Sequence, residues 1–269
     1  MDVGDVRIDY VLDGSVHHEP IGFAGGTEED WALHRDLLDE DGMIATLYGG
    51  FLIRSGDRNI VVDLGVGMHT LLGTSGGAFV DSLAALGLQP DDVTDVVFSH
   101  LHLDHIGWAT DDERRPTFPS ATYRCSAADW QHFMVDQRGI DPFGAGYTTD
   151  EVVDGAAEQF ETWDHDGPLL PGIDVRAAPG HTPGSSVFVV SSGVERAMLI
   201  GDVVHCPIQL VDDEWGVMYD VDPDLARRTR LALNRELEDS ETPVAAAHFP
   251  GARFGRLFRG EGRRHWVMS

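Results

Sequence analysis

The chain has 269 residues and a formal net charge of −27, with 46 acidic residues against 19 basic ones and no lysine. This length suffices for a substantial core, and a hydrophobic fraction of 42% is ordinary for a globular protein. The acidic excess argues against a nucleic-acid or an anionic-membrane partner, because the protein would repel their phosphate groups.

Short apolar segments alternate with helical patterns along the chain. The segments are rich in β-branched residues and bounded by Gly, Pro, Asp or Ser, which is typical of strands. They are 44–53, 59–64, 95–99, 121–125, 173–178, 186–190, 197–200 and 244–247. The helical patterns are 80–86, 126–134 and 222–237. Because neither a linker nor a repeat divides the chain, we predict one layered α/β or α+β domain over residues 1–269.

Two stretches carry few such signals but several aromatic residues: 13–41, and 108–163 apart from its strand and helix. We expect long loops there. Such loops either shape a substrate pocket or pack their aromatic side chains on the core.

The chain lacks the features of an exported or membrane-bound protein. Its two cysteines, Cys125 and Cys206, have no recognisable pair spacing. The first residues lack the basic and apolar regions of a signal peptide, and no apolar run reaches the roughly 18 residues of a membrane span. We therefore expect a soluble cytoplasmic protein.

The strongest motif is SHLHLDHIGW at residues 99–108, directly after the strand that begins at residue 95. His100 and His102 are two residues apart, so in an extended backbone they point to the same side and can bind one ion. Asp104 and His105 follow in the bend and are suited to a second ion. Imidazole and carboxylate groups are common ligands of zinc and related divalent metals. The motif therefore predicts a metal site.

Four ligands cannot fill two coordination shells, so further ligands should come from other strand ends. His181 lies in the turn APGHTPGS at 178–185, and Asp202 and His248 end apolar strands. Strand ends of this kind carry the chemistry of α/β sheets. Since a carboxylate has two oxygens, Asp202 is the natural bridging ligand.

These motifs together resemble the metallo-β-lactamase superfamily, and the resemblance extends from about residue 44 to residue 248. It implies an αββα four-layer sandwich with a two-metal site between the sheets. It also implies the distribution of the ligands: His100, His102 and His181 on the first metal, Asp104, His105 and His248 on the second, and Asp202 between them.

Within the superfamily, the chain differs from the branch that uses a cysteine ligand, because Asp202 stands at that position. It also differs from the di-iron branch, which lacks a histidine where His102 stands. The segments FPSATY (118–123), GDVVHCPIQ (201–209), YDVDP (219–223) and AHFPG (247–251) resemble the lactonase branch that includes methyl parathion hydrolase. This resemblance implies a hydrolase of small ester, lactone or phosphotriester substrates.

The expected cofactors are two divalent ions, most readily zinc, with manganese, iron or cobalt as alternatives. Such ions lower the pKa of a shared water towards about 7, which supplies a bridging hydroxide as nucleophile. Asp104 and Asp202 are the expected catalytic residues, with Asp104 orienting the hydroxide or acting only as a ligand. Trp108 and His205 are candidates for the substrate pocket.

Two alternatives stay open at this point. A glyoxalase II-like thioester hydrolase has the same ligands and uses a basic C-terminal patch for glutathione, and the C-terminal region here carries Arg253, Arg256, Arg259, Arg263 and Arg264. A non-catalytic metal-bound binding protein is the other alternative. The expected partner is a small molecule, and exposed aromatic residues are compatible with a homodimer.

Overall fold

The computed structural model describes residues 1–20, 23–24, 31, 34–71, 73–240, 242–260 and 262–268. In chain order, the strands of the described residues are β1 (Asp2–Val3), β2 (Val6–His18), β3 (Phe23–Ala24), β4 (Ile44–Ser55), β5 (Arg58–Val62), β6 (Thr70–Leu71), β7 (Thr74–Ser75), β8 (Asp95–Val97), β9 (Thr122–Ser126), β10 (Phe160–Trp163), β11 (Gly167–Leu170), β12 (Ile173–Ala177), β13 (Ser186–Ser192), β14 (Glu195–Leu199), β15 (Gly216–Val217), β16 (Val244–Ala245), β17 (Gly255–Gly260) and β18 (Arg263–Met268).

The described α-helices are α1 (Phe79–Ala85), α2 (Leu103–Ile106), α3 (Ala127–Asp129), α4 (Thr149–Val153), α5 (Ile208–Val211) and α6 (Pro223–Ser240). Helix α3 continues directly into a π-helical segment, Trp130–Asp136. Short 3₁₀ segments lie at Arg35–Leu37, Pro90–Asp92, Asp154–Gln159, Gly201–Val203 and Pro250–Ala252. None of the described helices has the length and apolar character that a membrane crossing requires.

Two seven-stranded sheets organise the fold. The first has the order β1-β2-β4-β5-β8-β9-β10, and the second has the order β11-β12-β13-β14-β16-β17-β18. The pairs β5–β8, β8–β9, β9–β10 and β14–β16 are parallel, whereas the remaining pairs of the two sheets are antiparallel. Two small antiparallel pairs lie outside these sheets: β3 with β15, which are distant in sequence, and β6 with β7, which follow each other directly.

Alternating side chains of each sheet enter different cores. Phe51 and Ile53 of β4 belong to the same buried cluster as Phe188 and Val190 of β13, so this core lies between the sheets. Leu52, between them in sequence, faces the opposite side and joins the core that includes helix α1. On the far side of the second sheet, β14 packs against helix α6. A period of two residues per strand produces this arrangement, and the layers confirm the predicted αββα sandwich.

The eight predicted strands and three predicted helices are all present, with ends shifted by a few residues. The expected loop at 13–41 was wrong for its first part, since β2 extends to His18. Several residues of that stretch (21–22, 25–30 and 32–33) lie outside the described residues. The expected loop at 108–163 was also too long, because it contains α4, a 3₁₀ segment and β10.

Candidate metal centre

The segment after β8 has an extended backbone at His102 and then turns into α2. His102 has φ −70° and ψ 155° immediately before the helix begins at Leu103. Asp104 and His105 therefore lie on the first turn of α2, whereas His100 and His102 precede it. The structure thus separates the motif into the two pairs that the spacing predicts.

Asp63, which follows β5, fixes the start of this segment. Its carboxylate accepts hydrogen bonds from the Ser99 amide (2.8 Å) and the Ser99 hydroxyl (2.7 Å). Its Oδ2 also lies 3.0 Å from Nδ1 of His105. Asp63 has a positive φ of 62°, which is uncommon for a residue other than glycine and typical of functional sites. The sequence reasoning missed Asp63, although its position directly after an apolar strand was a usable signal.

Gly107 allows the end of the segment to approach the loop after β5. A Cβ atom at this position would lie 2.0 Å from the backbone carbon of Val66. The Gly107 amide donates to the carbonyl oxygen of Gly65 at 2.8 Å. Any larger residue would push the histidine segment away from its neighbour.

The other three predicted ligands converge on the same place. His181 follows β12, Asp202 follows β14 in a 3₁₀ turn, and His248 follows β16. Oδ2 of Asp202 lies 3.2 Å from Nε2 of His248 and 3.5 Å from Nε2 of His181. It lies 3.3 Å from Nε2 of His105 and 3.9 Å from Nε2 of His100. Residues that are up to 148 positions apart in sequence therefore form one buried cluster.

The cluster contains subgroups of three residues whose potential ligand atoms lie within 4.8 Å of one another. The subgroups are His100 with His102 and His181, Asp104 with His105 and His248, His100 with His105 and Asp202, and His181 with Asp202 and His205. The first two share no residue, so the cluster has the composition to hold two cations.

The hydrogen bonding of the cluster fits a bound metal. Nε2 of His100, Nε2 of His181 and Oδ1 of Asp202 are buried and have no hydrogen-bond partner among the described residues. Buried polar atoms are nearly always paired, because an unpaired one is costly. Imidazole nitrogens and carboxylate oxygens are the donor set that zinc prefers. These unpaired atoms are therefore of the types that bind zinc, and a bound cation would provide the partner that they lack.

In His248 and His181, the ring nitrogen Nδ1, opposite Nε2, contacts another protein group. Nδ1 of His248 donates to the carbonyl oxygen of Leu47 at 2.8 Å. Nδ1 of His181 lies 3.0 Å from Oδ1 of Asp220. Contacts of this kind fix the tautomer and leave Nε2 free for a metal. The sequence reasoning identified neither partner, although Asp220 lies in the acidic segment 219–223 that it singled out.

Burial and charge act in opposite directions on the histidines. Burial lowers the pKa of His100 and of His102 well below the usual value, and neighbouring imidazoles add to this effect. Burial also opposes protonation of His248, but the carboxylates of Asp202 and Asp104 outweigh it and raise its pKa. His100 and His102 are therefore neutral near pH 7, the form in which a histidine binds a metal.

A cavity of about 370 Å³ opens onto the cluster. Its apolar and aromatic wall includes Val16, Tyr48, Leu71, Phe143, Val217 and Tyr219. His205 also lines the cavity, and its Nε2 lies 3.0 Å from Oδ2 of Asp202. The structure places Trp108 elsewhere: its ring packs against the core and Nε1 donates to Asp13 at 2.8 Å. Trp108 is not among the described residues that line the cavity, and its hydrogen bond to Asp13 explains why.

The sequence matches the family model of the metallo-beta-lactamase superfamily over residues 50–248. The chain belongs to this superfamily. The matched segment contains all seven predicted ligands and strands of both seven-stranded sheets. The resemblance inferred from the motifs is confirmed.

Several relatives within the metallo-beta-lactamase superfamily are named lactonases. The chain is 30% identical to the N-acyl homoserine lactonase AttM of Agrobacterium fabrum over 131 residues, 45% of this chain and 44% of AttM. It is 25% identical to the N-acyl homoserine lactonase AiiA of Bacillus thuringiensis subsp. kurstaki over 166 residues, 61% of this chain and 59% of AiiA. The chain thus spans about half the length of these curated relatives.

Solved structures share the fold over nearly the whole chain. AidC, a dizinc quorum-quenching lactonase in complex with a product, superposes with a TM-score of 0.87 at 24% identity, covering 100% of this chain and 96% of AidC. The hydrolase AbOPH of the beta lactamase superfamily superposes with a TM-score of 0.84 at 26% identity, covering 99% of this chain and 95% of AbOPH. These similarities extend the shared fold beyond the segment that the family model matches.

Proposed function

We propose that this protein is a dinuclear metal-dependent hydrolase of lactones, with N-acyl homoserine lactones and related small esters as its substrate class. The observation that carries the proposal is the convergence of five imidazoles and two carboxylates around orphaned buried ligand atoms. The names of AttM and AiiA support the choice of lactones among the hydrolytic reactions.

The geometry supports one assignment of the ligands. His100, His102 and His181 would hold the first cation, and Asp104, His105 and His248 would hold the second. Oδ2 of Asp202 lies within 3.9 Å of imidazole nitrogens of both groups, so its carboxylate would bridge. Zinc is the expected metal, because this donor set suits it.

When bound, the two cations supply Lewis acidity to the substrate's carbonyl oxygen and lower the pKa of water, so that hydroxide is available at neutral pH. Asp104 is the most exposed ligand of its group, with 19% of its side chain accessible, and it lines the cavity. Its carboxylate would take a proton from the attacking water and, as the ring C–O bond breaks, return it to the leaving alkoxide oxygen, which becomes the hydroxyl of the opened product. The apolar wall around Tyr48 and Phe143 suits an acyl chain.

The arrangement of the C-terminal arginines disfavours the thioesterase alternative. Arg259 and Arg264 form ion pairs with Glu238 of helix α6, and Arg264 also pairs with Asp213. Neither of these two arginines, nor Arg253, Arg256 or Arg263, is among the described residues that line the cavity. Arg259 and Arg264 therefore stabilise the contact between β17–β18 and α6, and they do not face an acidic substrate.

A substrate panel tests the proposed function. Zinc-reconstituted protein is assayed on N-acyl homoserine lactones, aryl esters, glutathione thioesters and phosphotriesters. The lactones should give the highest kcat/KM, and removal of zinc should abolish the activity. A preference for glutathione thioesters would favour the alternative, and inactivity on the whole panel at full metal content would indicate a binding protein.

Metal removal should also lower the thermal stability. A ligand at 100 times its Kd adds about 2.7 kcal/mol to the free energy of unfolding. For a chain of this size, we expect the melting temperature to fall by about 5–10 °C when a chelator removes the zinc. Calorimetry with and without chelator measures the difference, and equal melting temperatures for both forms would contradict the metal centre.

A further inference from the structure

Asp129, at the end of helix α3, is a fully buried carboxylate that lies next to the proposed centre and outside it. Its Oδ1 accepts a hydrogen bond from the Gly184 amide at 2.6 Å. Its Oδ2 accepts from the Leu101 amide at 3.1 Å and from the Thr182 hydroxyl at 2.9 Å. Burial raises the pKa of Asp129 to about 6, an effect that these donors partly offset. Burying a charged carboxylate costs free energy, so we expect Asp129 to have a structural or functional role.

The donors to Asp129 belong to the two segments that carry the first group of ligands. Leu101 lies between His100 and His102, on the segment that follows β8 of the first sheet. Thr182 follows His181, on the turn between β12 and β13 of the second sheet. One carboxylate therefore joins the ligand segments of both sheets. Asp104, His105 and His248 are not among the partners of its described hydrogen bonds.

The close approach of the turn to Asp129 depends on Gly184. A Cβ atom at this position would lie 2.6 Å from the Asp129 amide nitrogen and 2.8 Å from its Cγ. Any other residue would push the turn away from the carboxylate. The glycine and the carboxylate are thus a matched pair, which a carboxylate serving only to cap a helix would not need.

We infer that Asp129 is a positioning residue that sets the spacing of His100 and His102 against His181, and thereby the affinity of the first cation. The inference rests on the proposed function, since it presumes that two cations bind. The second cation should be insensitive to Asp129, because its ligands are held by other contacts. One of these is the hydrogen bond from His248 to Leu47.

The test is a titration of the metal-free protein with Co²⁺ in competition with a chromophoric chelator, which needs no assay of activity. Asp129→Asn retains the shape of the side chain but loses the charge and one acceptor oxygen. We expect one of the two binding constants to fall about 10–100-fold, the usual effect of losing a residue that supports metal ligands. The other constant should stay at the wild-type value.

Asp95→Asn is the matched control. Asp95 is 1% exposed and paired with Arg58 and Arg124 at the amino end of β8, away from the ligand segment. This control should lower the melting temperature and leave both Co²⁺ constants unchanged. Equal falls in both constants of Asp129→Asn, or no fall at all, would overturn the inference.

A second pair of variants serves if Asp129→Asn does not fold. Thr182→Val removes one donor to Asp129 at nearly constant volume, and should weaken the same single constant several-fold. Thr182→Ser keeps the hydroxyl, so its binding constant should equal that of the wild type. If neither variant changes either constant, the inference is contradicted. If the wild-type protein binds fewer than two Co²⁺ ions, the proposed function itself fails, which is a separate outcome.

Discussion

Replacing Asp202 with asparagine is expected to lower kcat/KM for lactone hydrolysis by about 10²–10⁴-fold and to reduce the metal content. Oδ2 of Asp202 lies between 3.2 and 3.9 Å from Nε2 of four proposed ligands, and the side chain is buried. Asparagine fills the same space but carries no charge for the two cations. Loss of one partner from a buried ionic cluster costs about 3–5 kcal/mol, which gives the expected range of rates.

Steady-state kinetics and metal analysis of the same reconstituted samples check this prediction. Asp174→Asn, on an exposed position of β12, is a suitable control because it also removes one negative charge. It should keep two ions and the wild-type rate. An Asp202→Asn protein with full metal content and undiminished kcat/KM would show that this carboxylate does not bridge.

Replacing Asp13 with asparagine is expected to lower the free energy of unfolding by about 3–5 kcal/mol, although Asp13 is not a proposed ligand. Asp13 lies where the pairing of β2 with β4 shifts register, and it is 1% exposed. Its two oxygens accept hydrogen bonds from five donors, namely the amides of Val66, Gly67, Gly77 and Phe79 and the indole of Trp108. An asparagine would turn an amide group towards several of these donors.

Denaturant unfolding of the metal-free proteins measures this loss without interference from bound cations. In thermal unfolding, the melting temperature of Asp13→Asn should lie about 6–20 °C below that of the wild type, since each kcal/mol corresponds to about 2–4 °C at this chain length. Asp91→Asn, at an exposed position of the Pro90–Asp92 segment, should change stability by less than about 0.5 kcal/mol. A similarly small change for Asp13→Asn would show that the five hydrogen bonds to Asp13 do not stabilise the fold.

The residues of the cluster could be proposed as ligands from sequence because metal chemistry restricts both residue type and local spacing. The segment from His100 to His105 shows this most clearly, since four candidate ligands lie within six residues. His181, Asp202 and His248 could be identified because each follows an apolar strand. The structure brings them within reach of one another, as the strand ends predicted.

The supporting contacts were not predictable, because they join residues that are distant in sequence. Asp220 lies 39 residues from His181, and Asp129 lies 28 residues from Leu101. Nothing in the local sequence distinguishes these carboxylates from the many exposed ones in this acidic chain. Trp108 was assigned to the pocket for the same reason, since only the tertiary structure reveals its hydrogen bond to Asp13.

The sequence did not predict strands β2 and β10, and this too has a physical explanation. Strand β2 carries polar residues on its exposed face, and its register shifts between Leu12 and Gly14, which interrupts the alternation of apolar residues. Strand β10 is short and only Trp163 is buried in it. Their pairing with β4 and β9 decides their conformation, and the pairing partner is not visible in the local sequence.

Anomalous diffraction from crystals of the zinc-loaded protein tests the central claim most directly. The account predicts two zinc peaks in each chain, one among His100, His102 and His181 and the other among Asp104, His105 and His248. The carboxylate of Asp202 should contact both peaks. A single peak, or a His181 or His248 side chain that contacts neither zinc, would contradict the account.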